Sequence, residues 1–243
     1  MNEFDGDHRK YQALMDYVAF KELHEFVSNS AAIAAHTDSY AVSSLGPIAA
    51  SKVVELKVAK AGELRGALMH FACQTIVSLC TTFEVAARDF LQAVFAVKPD
   101  GMFEFLGPED ARGHVPLKDV LQASSHDELV GALAKRAAGS ASKGKYGAVF
   151  ARATQLAGGT VDKAIVSRLN SLQTERNKLV HERHRPAIGL EEVLNAHATV
   201  DAAIDALCEI AVKAGMPGRY TCVHSDAAWV VQDVVGLVPG DAP

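Results

Sequence analysis

The chain of 243 residues has an ordinary globular composition, with 49% hydrophobic and 22% charged residues and a net charge of −5. This length suits one large domain, or one domain with added helices, and allows a substantial core. A protein that coats nucleic acid along its length is usually basic, so any nucleic-acid contact here must be confined to a small positive patch. None of the four cysteines forms a Cys-x-x-Cys pair, which disfavours a zinc ribbon.

The start of the sequence gives no sign of export or membrane insertion. The stretch MNEFDGDHRK lacks the apolar core of a secretory signal. No run approaches the roughly 18–20 apolar residues of a membrane span. The sequence therefore predicts a soluble cytoplasmic protein without a membrane partner.

Helical periodicity dominates the first part of the chain. Apolar residues recur at spacings of three and four over residues 8–27, which predicts an amphipathic helix. Residues 28–46 are rich in Ser, Ala and Thr without a clear period, so we expect a connection there. The segment 49–97 has the strongest helical pattern, and Gly62 and Gly66 indicate a break or close packing near its start.

The middle of the chain, about 99–160, is broken by Gly and Pro into short pieces. Ser125 and Glu128 have the Ser-x-x-Glu form of a capping box, which opens a helix to about Ala138. Another short helix is expected over 146–156.

Two longer helices follow this middle region. Thr160 is the expected N-cap of the first, and Pro186 ends it. The second is expected over about 191–213, before a glycine and a proline. The segment after it is ambiguous, and residues 220–224 have the pattern of a short strand.

These elements together predict an all-α fold, namely an antiparallel helical bundle. We assign residues 1–48 to an N-terminal helix and its connection, and 49–215 to the bundle. The bundle contains an insertion at about 99–160, and residues 216–243 form a short C-terminal extension.

The most informative pattern lies near the end of the penultimate long helix, in LQTERNKLVHERHRP. Apolar positions Ile165, Leu169, Leu172 and Leu179 form one stripe, and Arg176 falls inside it. An arginine in such a stripe is costly unless its guanidinium finds a partner or reaches solvent. It either pairs with a carboxylate elsewhere or stands ready for an anion such as phosphate, which its planar donor fork suits.

Asn177 and His181 are four residues apart, so they share a helical face and an amide could orient the imidazole. At about 100° per residue, Arg176 and His181 lie about 140° apart around a regular helix. They converge on one ligand only if Arg176 reaches around, the helix distorts, or a second subunit completes the site. The spacing therefore indicates a composite site.

Three other interpretations compete with a composite site. His181 and His184 in the run HERH resemble the zinc-protease motif HExxH with one residue missing and no third ligand, so we expect no metal. The charged run also suits a solvated helix C-terminus, where cations complement the macrodipole. His197 falls in a separate apolar stripe and is expected to be a hydrogen-bonded core histidine.

The run RNKLVH at 176–181 resembles the signature of the HEPN superfamily, which is an arginine, four to six residues and then a histidine. A polar residue, often asparagine, directly follows that arginine. The run VSLCTTFEVAARDFLQAVF at 77–95 is similar to the helix that packs against the motif helix, with Glu84 as its mid-helix acid. The resemblance covers about residues 63–214.

The HEPN resemblance implies a metal-independent endoribonuclease without a cofactor, which works on RNA as a homodimer with its motifs facing across a shared cleft. In that chemistry His181 serves as the base for the 2′-hydroxyl, and the product is a 2′,3′-cyclic phosphate. Arg176 stabilises the charge on the phosphorane, and Asn177 orients His181 or the phosphate.

Supporting roles can be assigned beside the motif. Lys178, Arg183 and Arg185 are candidate contacts for flanking phosphates, against the alternative of ordinary surface charge. Glu84 and Arg88 have the spacing of an ion pair on one helix. The sharper alternative is that Glu84 faces Arg176 and holds it in the empty site.

Three functions follow from this pattern. The first is a ribonuclease that acts as a toxin or phage-defence effector, with an antitoxin or defence-system partner. The second is a non-catalytic HEPN module for nucleotide or RNA binding or protein assembly. The third is a helical scaffold in which the motif has no function, and the acidic isoelectric point favours the second and third.

Overall fold

Helices account for about 84% of the residues that the computed structural model describes, which are 3–45, 50–107, 113–181 and 188–220. Strands contribute two residue pairs. The predicted all-α class is confirmed. The elements in chain order are β1 (Phe4–Asp5), α1 (Gly6–Ser28), α2 (Ser30–Leu45), α3 (Ala50–Val97), a 3₁₀ helix (Pro99–Phe105), α4 (Leu117–Gln122), α5 (His126–Ala141), α6 (Tyr146–Ala157), α7 (Lys163–His181), α8 (Leu190–Lys213) and β2 (Gly218–Arg219).

Two helices occupy the N-terminal region, where the sequence predicts one. The helix expected over 8–27 is α1, but most of the expected connection at 28–46 is the helix α2. The side chain of Asn29 starts α2, since its Oδ1 accepts hydrogen bonds from the N–H groups of Ala31 and Ala32 at 3.0 and 3.1 Å. The prediction was wrong because alanine favours helix even where no apolar period marks it.

The helix α3 runs unbroken for 48 residues. Gly62 and Gly66 lie inside it, and a Cβ atom built on either meets nothing within 4 Å. The expected break at these glycines is therefore wrong, and within the described chain neither glycine packs closely against another element. The second part of α3 supplies many buried core residues: Ala72, Ile76, Leu79, Phe83, Ala87, Phe90 and Val94.

Two helices in the second half of the chain, α5 and α7, begin at a residue whose side chain caps the helix N-terminus. Ser125 caps α5, with Oγ accepting the N–H of Glu128 at 3.1 Å, as its sequence predicts. The helix α7 starts later than predicted, because Asp162 and not Thr160 is its cap. Oδ1 of Asp162 accepts the N–H of Ala164 at 2.7 Å.

The two short strands pair in parallel, with Phe4 opposite Gly218 and Asp5 opposite Arg219. The ring of Phe4 is fully buried and meets Phe90 edge-on, with centroids 5.3 Å apart. The strand β2 precedes the segment 220–224, for which the sequence favours a strand, and Tyr220 lies outside β2. Residues 221–224 lie outside the described ranges.

The chain divides into two compact units. The first unit comprises the described parts of Met1–Tyr11, Phe83–Ser167 and Ala202–Pro243. The second comprises the described parts of Gln12–Thr82 and Arg168–Asp201. Because α1, α3, α7 and α8 each contribute to both units, no loop separates the two.

One helix bears on the membrane prediction. By length and composition, Lys52–Val97 could cross a membrane, and 39% of its most apolar window is buried. The core helix of a soluble protein meets the same criterion. The expectation that no apolar run reaches membrane length therefore does not hold by composition alone.

Candidate functional site

The sequence motif lies on the last two turns of α7, within the second unit. Leu169 and Leu172 are buried, which fixes the side of the helix that faces the core. Arg176, in the same stripe, is half-buried, while Asn177 and His181 are exposed. Burial of the stripe thus follows the predicted period, and the polar motif residues lie on the remaining surface.

Among the described residues, Arg176 has no carboxylate partner. Its Nη1 lies 3.4 Å from Oδ1 of Asn177, near the outer limit of a hydrogen bond. Within the ranges that the structure describes, no ion pair includes Arg176. A half-buried guanidinium with one weak acceptor retains donors for an anion.

The other half-buried arginines of the described chain show what a structural arginine looks like here. Arg9 donates to Oδ2 of Asp89 at 2.6 Å. Arg152 donates through Nη1 to the backbone carbonyls of Ala141 and Lys143. Arg176 differs from both, because its partner is the side chain of its sequence neighbour.

His181 is the last residue of α7 and its side chain is exposed. In the part of the chain described, no hydrogen bond joins Asn177 to His181, while the amide oxygen of Asn177 accepts from Arg176. The structure thus links Asn177 to the arginine of the motif and not to its histidine. On a single regular helix Arg176 and His181 stay about 140° apart.

The helix that bears the motif is a basic segment of an acidic protein. The helix α7 has a net charge of +3, whereas the whole chain has −5. Its four basic residues are Lys163, Arg168, Arg176 and Lys178, and its one acidic residue is Glu175. The next helix, α8, has five carboxylates and one lysine. The positive charge of α7 is therefore local to this helix, although its cations are distributed around the helix axis.

Glu84 has a partner that its sequence did not reveal. The hydroxyl of Tyr146 donates a hydrogen bond to Oε1 of Glu84, which joins α6 to α3 within the first unit. No ion pair joins Glu84 to Arg88 among the residues described. Tyr146 is 62 residues away in sequence, so no local pattern could have indicated the contact.

The other residues singled out in the sequence differ in exposure, and some lie outside the described ranges. Arg183, His184 and Arg185 lie outside the described residues. Lys178 is exposed in the last turn of α7. His197 is half-buried and stacks on Tyr17, with ring centroids 4.9 Å apart and planes 23° apart.

The described ranges contain no group of three or more His, Cys, Asp or Glu side chains that could hold a metal ion. His184, one of the two histidines of the HERH run, lies outside these ranges.

The structure describes a helical protein in which a half-buried Arg176 and the exposed Asn177 and His181 lie near the end of a basic helix. Comparison with models of known protein families, with curated proteins and with solved structures finds no match.

Proposed function

We propose that the end of α7 binds RNA and cleaves it without a metal ion, as the HEPN resemblance implies. The observation that carries the proposal is Arg176, a half-buried arginine in an apolar stripe without a carboxylate partner in the described chain. A buried or half-buried charge needs a counter-charge. A phosphodiester supplies one with a geometry that matches the guanidinium fork.

The proposed reaction uses two groups of the motif. His181 removes the proton of the 2′-hydroxyl, whose oxygen attacks the adjacent phosphorus and displaces the 5′-oxygen of the next nucleotide. Arg176 stabilises the extra negative charge of the phosphorane. The leaving oxygen takes a proton from water, and the products are a 2′,3′-cyclic phosphate and a 5′-hydroxyl end.

Asn177 has a different role in this proposal from the one its spacing suggests. Its amide oxygen accepts a hydrogen bond from Arg176. It therefore positions the guanidinium, and Lys178, Arg183 and Arg185 bind the flanking phosphates. The 140° between Arg176 and His181 is bridged if a homodimer of HEPN-type antiparallel bundles brings two motifs together.

The test measures cleavage of a mixed RNA by the purified full-length protein, with and without EDTA. We expect cleavage that resists EDTA, that is lost on 2′-O-methyl RNA, and that yields cyclic phosphate ends. Replacing a general base or a charge-stabilising donor lowers rates by roughly 10²–10⁴. His181→Ala and Arg176→Ala should each show a loss of this size.

Arg168→Ala is the matched control, because it removes one exposed positive charge from the same helix outside the motif. It should retain most of the cleavage rate. Equal loss in Arg168→Ala and Arg176→Ala would contradict a specific role for Arg176. No cleavage by the parent protein would contradict the catalytic proposal.

A specific observation favours a second function, a non-catalytic module that binds RNA or a nucleotide. His181 is exposed and has no hydrogen bond that fixes its ring in the described structure. A general base normally has an orienting partner. Binding of RNA that is weakened by Arg176→Ala and unaffected by His181→Ala, without cleavage, would establish this function. An effector role in phage defence or as a toxin, with an antitoxin as partner, extends the first proposal and is tested by growth arrest on expression.

A further inference from the structure

The apolar stripe of α3 continues beyond the part of the helix that is buried. Val54 and Val58 lie on the same side of the helix as Met69, eleven residues further on, and as the buried residues Ala72 and Ile76. Val54, Val58 and Met69 are 61%, 69% and 37% exposed. One continuous helical stripe is therefore covered in its second part and open to solvent in its first.

The chain's own elements cover a different side of this first part. Lys57 forms an ion pair with Asp38, and the ammonium of Lys60 lies 4.8 Å from the ring centroid of Tyr40. Both partners belong to α2. On a helical projection, Lys57 and Lys60 lie well away from the stripe of Val54 and Val58.

The exposed surface is complementary to itself. Val54, Val58, Gly62 and Gly66 follow one another at intervals of four and so form a single ridge on α3. A twofold axis on this side of the helix, at the level of residue 60, sets a second α3 antiparallel to the first. Each valine then lies opposite a glycine: Val54 meets Gly66 of the second copy, and Val58 meets Gly62.

The glycines provide the space for this contact. A Cβ atom at Gly62 or at Gly66 would meet nothing within 4 Å in its own chain. Glycine in a helix interior is unfavourable by about 0.5–1 kcal/mol relative to alanine. Two of them on one exposed ridge therefore need a reason, and close approach of another helix provides one.

The same register pairs two charges that the chain leaves without an ion pair in the described ranges. Glu55 and Arg65 are ten residues apart on α3, about 15 Å along the axis, which is too far for a direct contact. In the antiparallel arrangement Arg65 lies opposite Glu55 of the second copy, and the twofold axis makes this pair twice. The nearby Lys60 is satisfied within the chain by Glu63 at 3.0 Å.

We propose that the Val54–Met69 face of α3 is a homodimer interface, with two antiparallel copies that cross at the level of residue 60. The interface uses none of the residues of the proposed RNA site and does not depend on cleavage. Glu55 and Arg65 on the open face argue against a lipid surface as the occupant, because charges are expensive in hydrocarbon.

The test is the oligomeric state of the full chain, measured by sedimentation between about 1 and 100 μM, the range in which a micromolar dissociation constant is resolved. We expect a dimer. Arg65→Glu and Glu55→Arg should each weaken it by at least about tenfold, and the double charge exchange should restore it. A double variant as weak as either single one would overturn the proposed register.

A size series on the same helix gives an independent readout. Gly62→Leu should abolish the dimer, because it fills the space opposite Val58, while leaving the helix content unchanged. Ala67→Leu, on the exposed opposite side of α3, is the matched control and should leave the dimer intact. A monomer at all concentrations, or a dimer that survives Gly62→Leu, would overturn the proposal. So would a monomer that floats with lipid vesicles, which would assign the open face to a membrane.

Discussion

The hydroxyl of Ser78 donates a 2.6 Å hydrogen bond to Oδ2 of Asp16 and so joins α3 to α1 within the second unit. Both residues are half-buried. The bond links positions 62 residues apart, and its acceptor is a carboxylate. Hydrogen bonds to charged groups contribute about twice as much as neutral ones, so this contact is a defined part of the link between the two helices.

Ser78→Ala should lower the free energy of unfolding by about 1.5–3 kcal/mol, because it leaves Asp16 without this donor. Chemical denaturation monitored by circular dichroism measures the change. Thr81→Ala is the control, since the Thr81 hydroxyl bonds to the carbonyl of Val77 in its own helix and is exposed. The control should stay within about 0.5 kcal/mol of the parent. Equal effects of the two changes would contradict a role of Ser78 between the helices.

Ser125→Ala should destabilise the protein by about 1 kcal/mol, because the N-cap oxygen satisfies the N–H of Glu128 at the start of α5. Ser125→Asp should restore most of the stability, since aspartate is an equally good cap. Thermal unfolding of the three proteins in parallel measures both changes. Failure of the aspartate to rescue would show that the loss arises elsewhere.

The same helix start gives a pH dependence with a definite sign. The hydroxyl and backbone N–H of Ser124 both donate to Glu128, which lowers the pKa of that carboxyl below its usual 4.5. A group with a depressed folded-state pKa contributes stability above its unfolded pKa and loses it as the pH falls. This contribution should therefore begin to fall near pH 4.5 and be lost as the pH drops through the lower folded-state pKa of Glu128. Carboxyl titration by NMR should show the pKa of Glu128 rising in Ser124→Ala.

Replacement by alanine should change the free energy of unfolding in opposite directions at Gly139 and Gly159. A Cβ atom at Gly139, inside α5, would meet nothing within 4 Å, so Gly139→Ala should stabilise the protein by about 0.5–1 kcal/mol. A Cβ atom at Gly159 would lie 2.9 Å from Cγ1 of Ile210, so Gly159→Ala should destabilise by about 1–3 kcal/mol. Denaturant midpoints compare the pair. A stabilising change at Gly159 would show that α8 can yield at this contact.

RNA binding by the end of α7 should depend steeply on salt. If Arg176, Lys178, Arg183 and Arg185 each neutralise one phosphate of a single strand, the affinity should fall about fifty-fold between 50 and 200 mM salt. Arg176→Ala should reduce the slope by about 0.7. Fluorescence anisotropy with a labelled oligonucleotide measures both. An affinity independent of salt would mean that the basic helix end does not contact the backbone.

The sequence predicted the α-helical class and the buried side of α7 because helical periodicity is a local property. Leu169 and Leu172 follow the 3.6-residue period, and both are buried. The cap of α5 was also predictable, since Ser125 and Glu128 lie within one turn. The segment of α2 was missed, because alanines form a helix without an apolar period.

Contacts between distant segments could not be predicted in this way. Tyr146 donates to Glu84, and Tyr17 stacks on His197, although neither pair shares a local pattern. The partner of Asn177 could not be predicted either. A spacing of four places His181 on the same helical face, but the amide oxygen of Asn177 accepts a hydrogen bond from the adjacent Arg176. A side chain's reach, and not only its position on the helix, decided that contact.

The parallel pairing of Phe4–Asp5 with Gly218–Arg219 makes the two ends of the described chain interdependent. Phe4 inserts its ring beside Phe90, while its N–H donates to the carbonyl of Pro217 at 3.3 Å. Deletion of the N-terminal residues through Phe4 would therefore disrupt the same strand pairing as deletion of the chain from Gly218 onward. An affinity tag or a fusion at either terminus should keep both dipeptides, because each end holds the other in place.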